Sequence, residues 1–183
     1  MMRRQKTDWS RRAAMALLFF GALAALPRSA QADEKPIFGE ISGVSCKGAS
    51  DGAFPGFAVA SFSFGDTNVS TIGSATGGAG AGKVTFQDIS ITKGLDDCTP
   101  ALFEAVAKGT PSSTASLTVV QKGTRLPILK IQLSHVVVTS DKFVEGAANE
   151  LDEVITLAYS QITITHVPSG KSVIIDVNTL TVQ

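Results

Sequence analysis

The chain has 183 residues, enough for one domain with a real core. Its 16 Lys+Arg balance 16 Asp+Glu overall, but the first 32 residues hold six of the basic side chains and a single acid, Asp8. The remaining 151 residues keep 10 Lys+Arg against 15 Asp+Glu with Arg125 as their only arginine, which excludes the phosphate-neutralising surface of a nucleic-acid binder.

The N-terminus falls into three zones. Met1 to Arg12 is a basic lead, and Ala13 to Leu26 is an uncharged run of 14 residues. That run is long enough for the apolar part of an export signal and shorter than the ~20 apolar residues a bilayer requires, so no stable membrane anchor is expected. Pro27 breaks the helix, and Ala30-Gln31-Ala32 offers the small residues a signal peptidase accepts. These zones predict a cleavable export signal over 1–32, cut between Ala32 and Asp33, and a protein that works in the periplasm or outside the cell; a buried N-terminal helix is the competing reading. Ser10-Arg11-Arg12, directly before the apolar run, resembles a twin-arginine signal. Ala13, Ala14 and Met15 replace the Phe and Leu usual after the arginines, so the general secretory route stays open.

From residue 33 to residue 183 the pattern is that of a single, mainly β domain. Apolar, β-branched runs bounded by Gly, Pro, Asp and Ser predict strands over Ile37–Val44, Phe57–Phe64, Lys83–Thr92, Ala115–Gln121, Ile128–Ser140, Val154–Val167 and Ser172–Val182. Within Ile128–Ser140, Leu129, Ile131, Leu133, His135 and Val137 alternate with Ile128, Lys130, Gln132 and Ser134, which puts the first set on one inward face. Toward the end of that run both faces turn apolar, which predicts burial on two sides. A short helix is expected over Pro100–Lys108: Thr99 can cap it, Pro100 suits its first position, Glu104 and Lys108 pair four residues apart, and Gly109 ends it. Between two strands, Asp66 to Gly82 is rich in Gly, Ser, Thr and Ala. A loop of that length in a compact domain is usually functional or disordered.

The order of these segments resembles the Hcp family, the tube protein of type VI secretion. The resemblance is carried by Ala60-Ser61-Phe62-Ser63-Phe64-Gly65, a Gly-rich gap, and then Gly82-Lys83-Val84-Thr85-Phe86-Gln87-Asp88-Ile89-Ser90-Ile91-Thr92-Lys93. Thr99-Pro100-Ala101-Leu102, Leu129 to Leu133, Val136 to Ser140 and Glu153 to Leu157 continue it in the same order, so that it spans about Phe38 to Pro168. The resemblance implies a β-barrel of two sheets with one short flanking α-helix. It also implies homohexameric rings that stack into a tube, partners that include other type VI components or effector cargo, and no catalysis. It further implies that the long loop, with Asp66, Gly73, Gly77, Gly78, Gly80 and Gly82, carries contacts between subunits. Glycines suit such an arm because they permit positive φ and close approach. A stand-alone secreted binding module built on the same barrel is the alternative.

The remaining chemistry is sparse. Cys46 and Cys98 in an exported chain predict a disulfide closing a loop of about 50 residues, worth roughly 3–4 kcal/mol in the chain-entropy picture; two unpaired thiols remain the alternative. Gly77 to Lys83 imitates a phosphate loop, but Val84 stands where Ser or Thr would hold magnesium and a strand follows instead of a helix, so no nucleotide or other cofactor is expected. His135 and His166 are expected on apolar strand faces as core residues, without the further ligands a metal needs. Asp141, Glu145, Glu150, Asp152 and Glu153 form an acidic stretch that reads as a solvated loop. No nucleophile elbow occurs, and an enzyme is not expected.

Overall fold

A computed structural model describes residues 36–46, 54–68, 84–146 and 150–183. The expected export signal, with Arg11, Arg12, Ala32 and Asp33, lies outside the described residues, as do Gly73, Gly77, Gly78, Gly80 and Gly82.

Within the described residues the chain is mainly β. Its strands are β1 (Ile37–Ile41), β2 (Phe57–Val59), β3 (Ser61–Ser63), β4 (Asp66–Asn68), β5 (Val84–Phe86) and β6 (Ile89–Gly94), followed by the helix α1 (Thr99–Lys108). After the helix come β7 (Ser112–Val120), β8 (Pro127–Glu145), β9 (Leu151–Ala158), β10 (Gln161–His166), β11 (Lys171–Asp176) and β12 (Thr181–Val182). One sheet runs β12-β11-β10-β8-β7-β1-β2, a second joins β8, β9, β6 and β3, and β4 pairs with β5 alone; every pairing is antiparallel.

The two sheets share β8, a strand of 19 residues. Its first half pairs with β7 and β10, and from Val137 onward it pairs with β9. The change of sheet happens at His135, whose φ is 51°. Before it Ile131 and Leu133 are buried; after it Val136 and Val138 are. A slip of one residue re-aims every later side chain. The apolar triplet Val136-Val137-Val138 is therefore a change of phase, not the two-sided burial expected from the sequence, and Val137 is only half-buried.

The expected run Val154–Val167 breaks at the same corner, where Tyr159-Ser160 divides β9 from β10. The Ser160 N–H donates to the Ser134 carbonyl at 3.1 Å. A second crossing lies at Ala60, between β2 and β3, where the Ala60 N–H donates to the Thr92 carbonyl at 2.9 Å. The expected strand Phe57–Phe64 thus becomes two short ones serving different sheets. At the chain's end, Asp176 Oδ1 accepts the N–H groups of Asn178 and Thr179, both at 2.9 Å, turning β11 into β12.

Between the sheets lies one core, with Phe57 from β2, Ile89 and Ile91 from β6, Leu117 from β7, Ile131 and Leu133 from β8, and Ile155 and Leu157 from β9. Fully burying a side chain of this kind stabilises by about 1.5–3 kcal/mol, which is why the alternating positions point inward. Gly39 and Gly56 let β1 and the approach to β2 come close. At Gly56 φ is 93°, and a Cβ would stand 1.9 Å from the Gly39 carbonyl oxygen.

Helix α1 starts one residue earlier than expected, and Gly109, at φ 60°, ends it by donating to the Ala105 and Val106 carbonyls. Leu102 is its buried residue, and the exposed Lys108 pairs with Glu104, holding that carboxyl below its ordinary range.

Candidate functional site

The segment expected to carry contacts begins on a ribbon of its own. Asp66 and Asn68 face Phe86 and Val84 across β4 and β5, so the expected loop starts as a strand. The expected strand Lys83–Thr92 is interrupted at Gln87-Asp88, which separates this ribbon from β6. All of β4 is exposed. The ribbon is tied at its base: the Gln87 N–H donates to the Gly65 carbonyl at 2.9 Å, and the Tyr159 hydroxyl donates to the Gln87 carbonyl at 3.1 Å. Burial, then Asp88 and Asp66, push the Tyr159 hydroxyl above its ordinary pKa, so it stays a donor throughout the physiological range. The result is a two-stranded arm on a fixed root, its strands joined through residues 69–83.

At the other end of the second sheet, the start of α1 is held by charge. Lys93 and Glu153, opposite one another on β6 and β9, are fully buried and 2.7 Å apart. Lys93 Nζ also lies 2.8 Å from Asp96 Oδ1, donates to the Gly94 carbonyl at 2.8 Å, and sits 5.8 Å from the centre of the Phe57 ring. The Thr99 hydroxyl donates to Glu153 Oε2 at 2.6 Å, so Thr99 anchors the helix to β9 instead of capping it as expected. Cys98 is the N-cap residue, its own N–H donating to Asp96 Oδ1 at 2.8 Å. Glu153 is thus a correction to the expected solvated acidic loop, because its strand parity points it inward where Lys93 awaits it. Asp141, likewise expected in solvent, has both carboxylate oxygens shut off from water.

Cys98 is fully buried beside this cluster, and Cys46 follows β1. Their sulfurs are joined in the structure, with Cα atoms 4.6 Å apart and a sequence separation of 52. The link ties the end of β1 to the first turn of α1. Next to Cys46 opens a polar groove of about 520 Å³ lined by Glu40, Ser42, Thr114, Ser116, Lys130 and Gln132.

Neither histidine is a core residue, contrary to expectation. His135 is exposed at the β8 corner with Nδ1 3.0 Å from Ser160 Oγ, and His166 is exposed before a short 3-10 turn with Nδ1 2.8 Å from Ser169 Oγ. The alternation that put His135 inward fails because the backbone changes phase at that very residue. Among the described residues no three His, Cys, Asp or Glu side chains converge as metal ligands, and no helix is long and apolar enough to cross a membrane. The phosphate-loop lookalike at Gly77 to Lys83 lies outside the described residues, and Val84 after it is a strand residue.

The fold is that of solved type VI secretion proteins. The chain is similar to a type six secretion system protein at 21% identity and a TM-score of 0.70, over 82% of this chain and 100% of that one. It is also similar to Hcp1 from Salmonella typhimurium at 19% identity and 0.66, over 82% and 100%. The secreted protein Hcp3 from Pseudomonas aeruginosa matches at 18% and 0.56, over 78% and 98%. No curated protein matches the chain. The sequence pattern of the type VI secretion system effector Hcp matches residues 39–166. The chain belongs to the Hcp family.

Proposed function

We propose that this protein is a ring-forming subunit of the Hcp kind, a β-barrel that assembles as homohexamers able to stack into a tube, exported beyond the inner membrane. The observation that carries the reading is the family match across residues 39–166. The strand pairings support the barrel: β1, β2, the Ala60 crossing, β3, β6, β9, β8 and β7 succeed one another and return to β1. The β4–β5 ribbon supports the assembly role, since a rooted arm can reach a neighbouring copy without disturbing its own core. Its partners are further copies of itself, other type VI components and effector cargo; catalysis forms no part of the role. Size-exclusion chromatography with light scattering tests it: a mass six times that of the protomer is expected, and a strict monomer at high concentration would overturn it.

A second reading, a stand-alone secreted binding module, is favoured by the polar groove beside the Cys46–Cys98 link. It predicts a stable monomer in the same experiment. Export itself is tested by the N-terminus of the recovered protein, expected at Asp33. Dependence on the twin-arginine route is tested by the double change Arg11→Lys and Arg12→Lys, expected to strand the precursor in the cytoplasm.

A further inference from the structure

The buried cluster beneath α1 holds more acid than its cation can answer. Lys93 faces Glu153 from β6 and Asp96 from the turn before α1, and Asp141 stands on the same inward face of the β8–β9 pair as Glu153, one step along the ladder. Three carboxyls therefore share one ammonium. Lys93 is already committed to Glu153 Oε2, Asp96 Oδ1, the Gly94 carbonyl and the Thr99 hydroxyl. Nothing donates to Glu153 Oε1 or to either Asp141 oxygen among the described residues, and all three atoms are shut off from water. Two ionised carboxylates cannot donate to each other, and a buried acceptor left without a donor costs about 1–3 kcal/mol, more when charged. One proton on Asp141 answers two of these three atoms: it turns the Asp141 oxygen that carries it into a donor toward Glu153 and cancels one negative charge.

We propose that Asp141 keeps a proton that it donates to Glu153, and that this proton is a pH-sensitive latch fastening α1 to the β8–β9 end of the second sheet. The latch reaches the helix directly, because Glu153 Oε2 accepts from Thr99, the first residue of α1. The Phe103 and Phe143 rings also stack, with centroids 6.5 Å apart, joining α1 to β8. Losing the proton leaves two negative charges side by side, with Lys93 unable to answer both.

Burial, then the neighbouring Glu153 charge and the hydrogen bond to it, push the Asp141 carboxyl up to about 6, with Lys93 opposing. A carboxyl whose folded pKa is raised binds its proton better in the folded state. Its contribution is fully present below its ordinary value of 3.8 and is lost as pH rises through about 6. The latch is closed in acid and released near neutrality.

The test is carboxyl NMR on the full-length chain labelled with 13C at aspartate, read beside thermal unfolding of the wild type and Asp141→Asn between pH 4.5 and 8. The Asp141 resonance is expected to titrate near 6, about two units above an ordinary aspartate. The wild-type melting temperature is expected to fall by several degrees across that titration. The amide introduced by Asp141→Asn is a permanent donor toward Glu153, so the variant should lose that slope and melt above the wild type at pH 8. Amide exchange in residues 99–108 should then be slower in the variant than in the wild type at the same pH. An Asp141 resonance that titrates near 4 overturns the proposal even if the variant fails to fold, and so does a folded variant that keeps the wild-type slope.

Discussion

At His135 a single residue decides which side chains of a long strand face inward. A φ of 51° suits Gly, Asn, Asp and His far better than a β-branched side chain, and the Ser160 hydroxyl 3.0 Å from Nδ1 steadies the corner. His135→Val should therefore cost about 1–3 kcal/mol while His135→Gly costs less, an ordering that urea unfolding reads directly. At Gly56 the obstacle is both conformational and steric, since a methyl there meets the backbone carbonyl of Gly39 instead of a side chain that can move aside. Gly56→Ala should lower stability by about 3 kcal/mol or more, measured the same way. Lys93 gives a third case. Lys93→Met leaves Glu153 buried without its partner and should cost about 3–5 kcal/mol, whereas the pair Lys93→Met with Glu153→Leu should recover much of the loss. If the double variant is no better than the single one, the ion pair is not what makes Lys93 matter.

Strands were legible as elements but not as sheet members. Each of the seven expected runs contains at least one strand, because β-branched density and period-2 alternation are local properties of the chain. Where a run changes sheets is set by partners far away in sequence: β8 turns where β9 gives way to β10, and Ala60 turns where Thr92 receives its N–H. Neither is visible locally, so Phe57–Phe64 and Val154–Val167 each read as one strand, and His135 read as core. The one available signal was the triplet Val136-Val137-Val138, whose loss of alternation marks a change of phase. The buried Lys93–Glu153 pair was missed for a related reason. Glu153 sits among Glu150 and Asp152, and only strand parity with the buried Ile155 and Leu157 separates it from its solvated neighbours. At the same scale, Cys46–Cys98 fastens the helix to β1. Reduction should lower stability by about 3–4 kcal/mol if the chain-entropy account holds, read as the difference in urea unfolding with and without reductant. Two free thiols in unreduced protein recovered after export would remove the link altogether.

For the whole molecule the decisive question is whether folding and assembly are separable. The core draws on β2, β6, β7, β8 and β9, and no residue of β4 or β5 belongs to it. The ribbon is rooted through Gln87, whose carbonyl accepts from Tyr159, and through Gly65. Replacing residues 69–83 by a short Gly-Ser turn between Asn68 and Val84 keeps those root contacts, and β4 and β5 are already an antiparallel pair that a tight turn can close. Such a variant is expected to unfold at nearly the wild-type urea concentration, because loop length changes closure entropy only slowly. If the ribbon carries contacts between copies, the same variant should elute as a monomer where the wild type forms rings. Rings that survive the replacement would assign assembly to the sheet edges or to the exposed Phe103–Phe143 face instead, and loss of the fold would show that the arm is part of the core's own support.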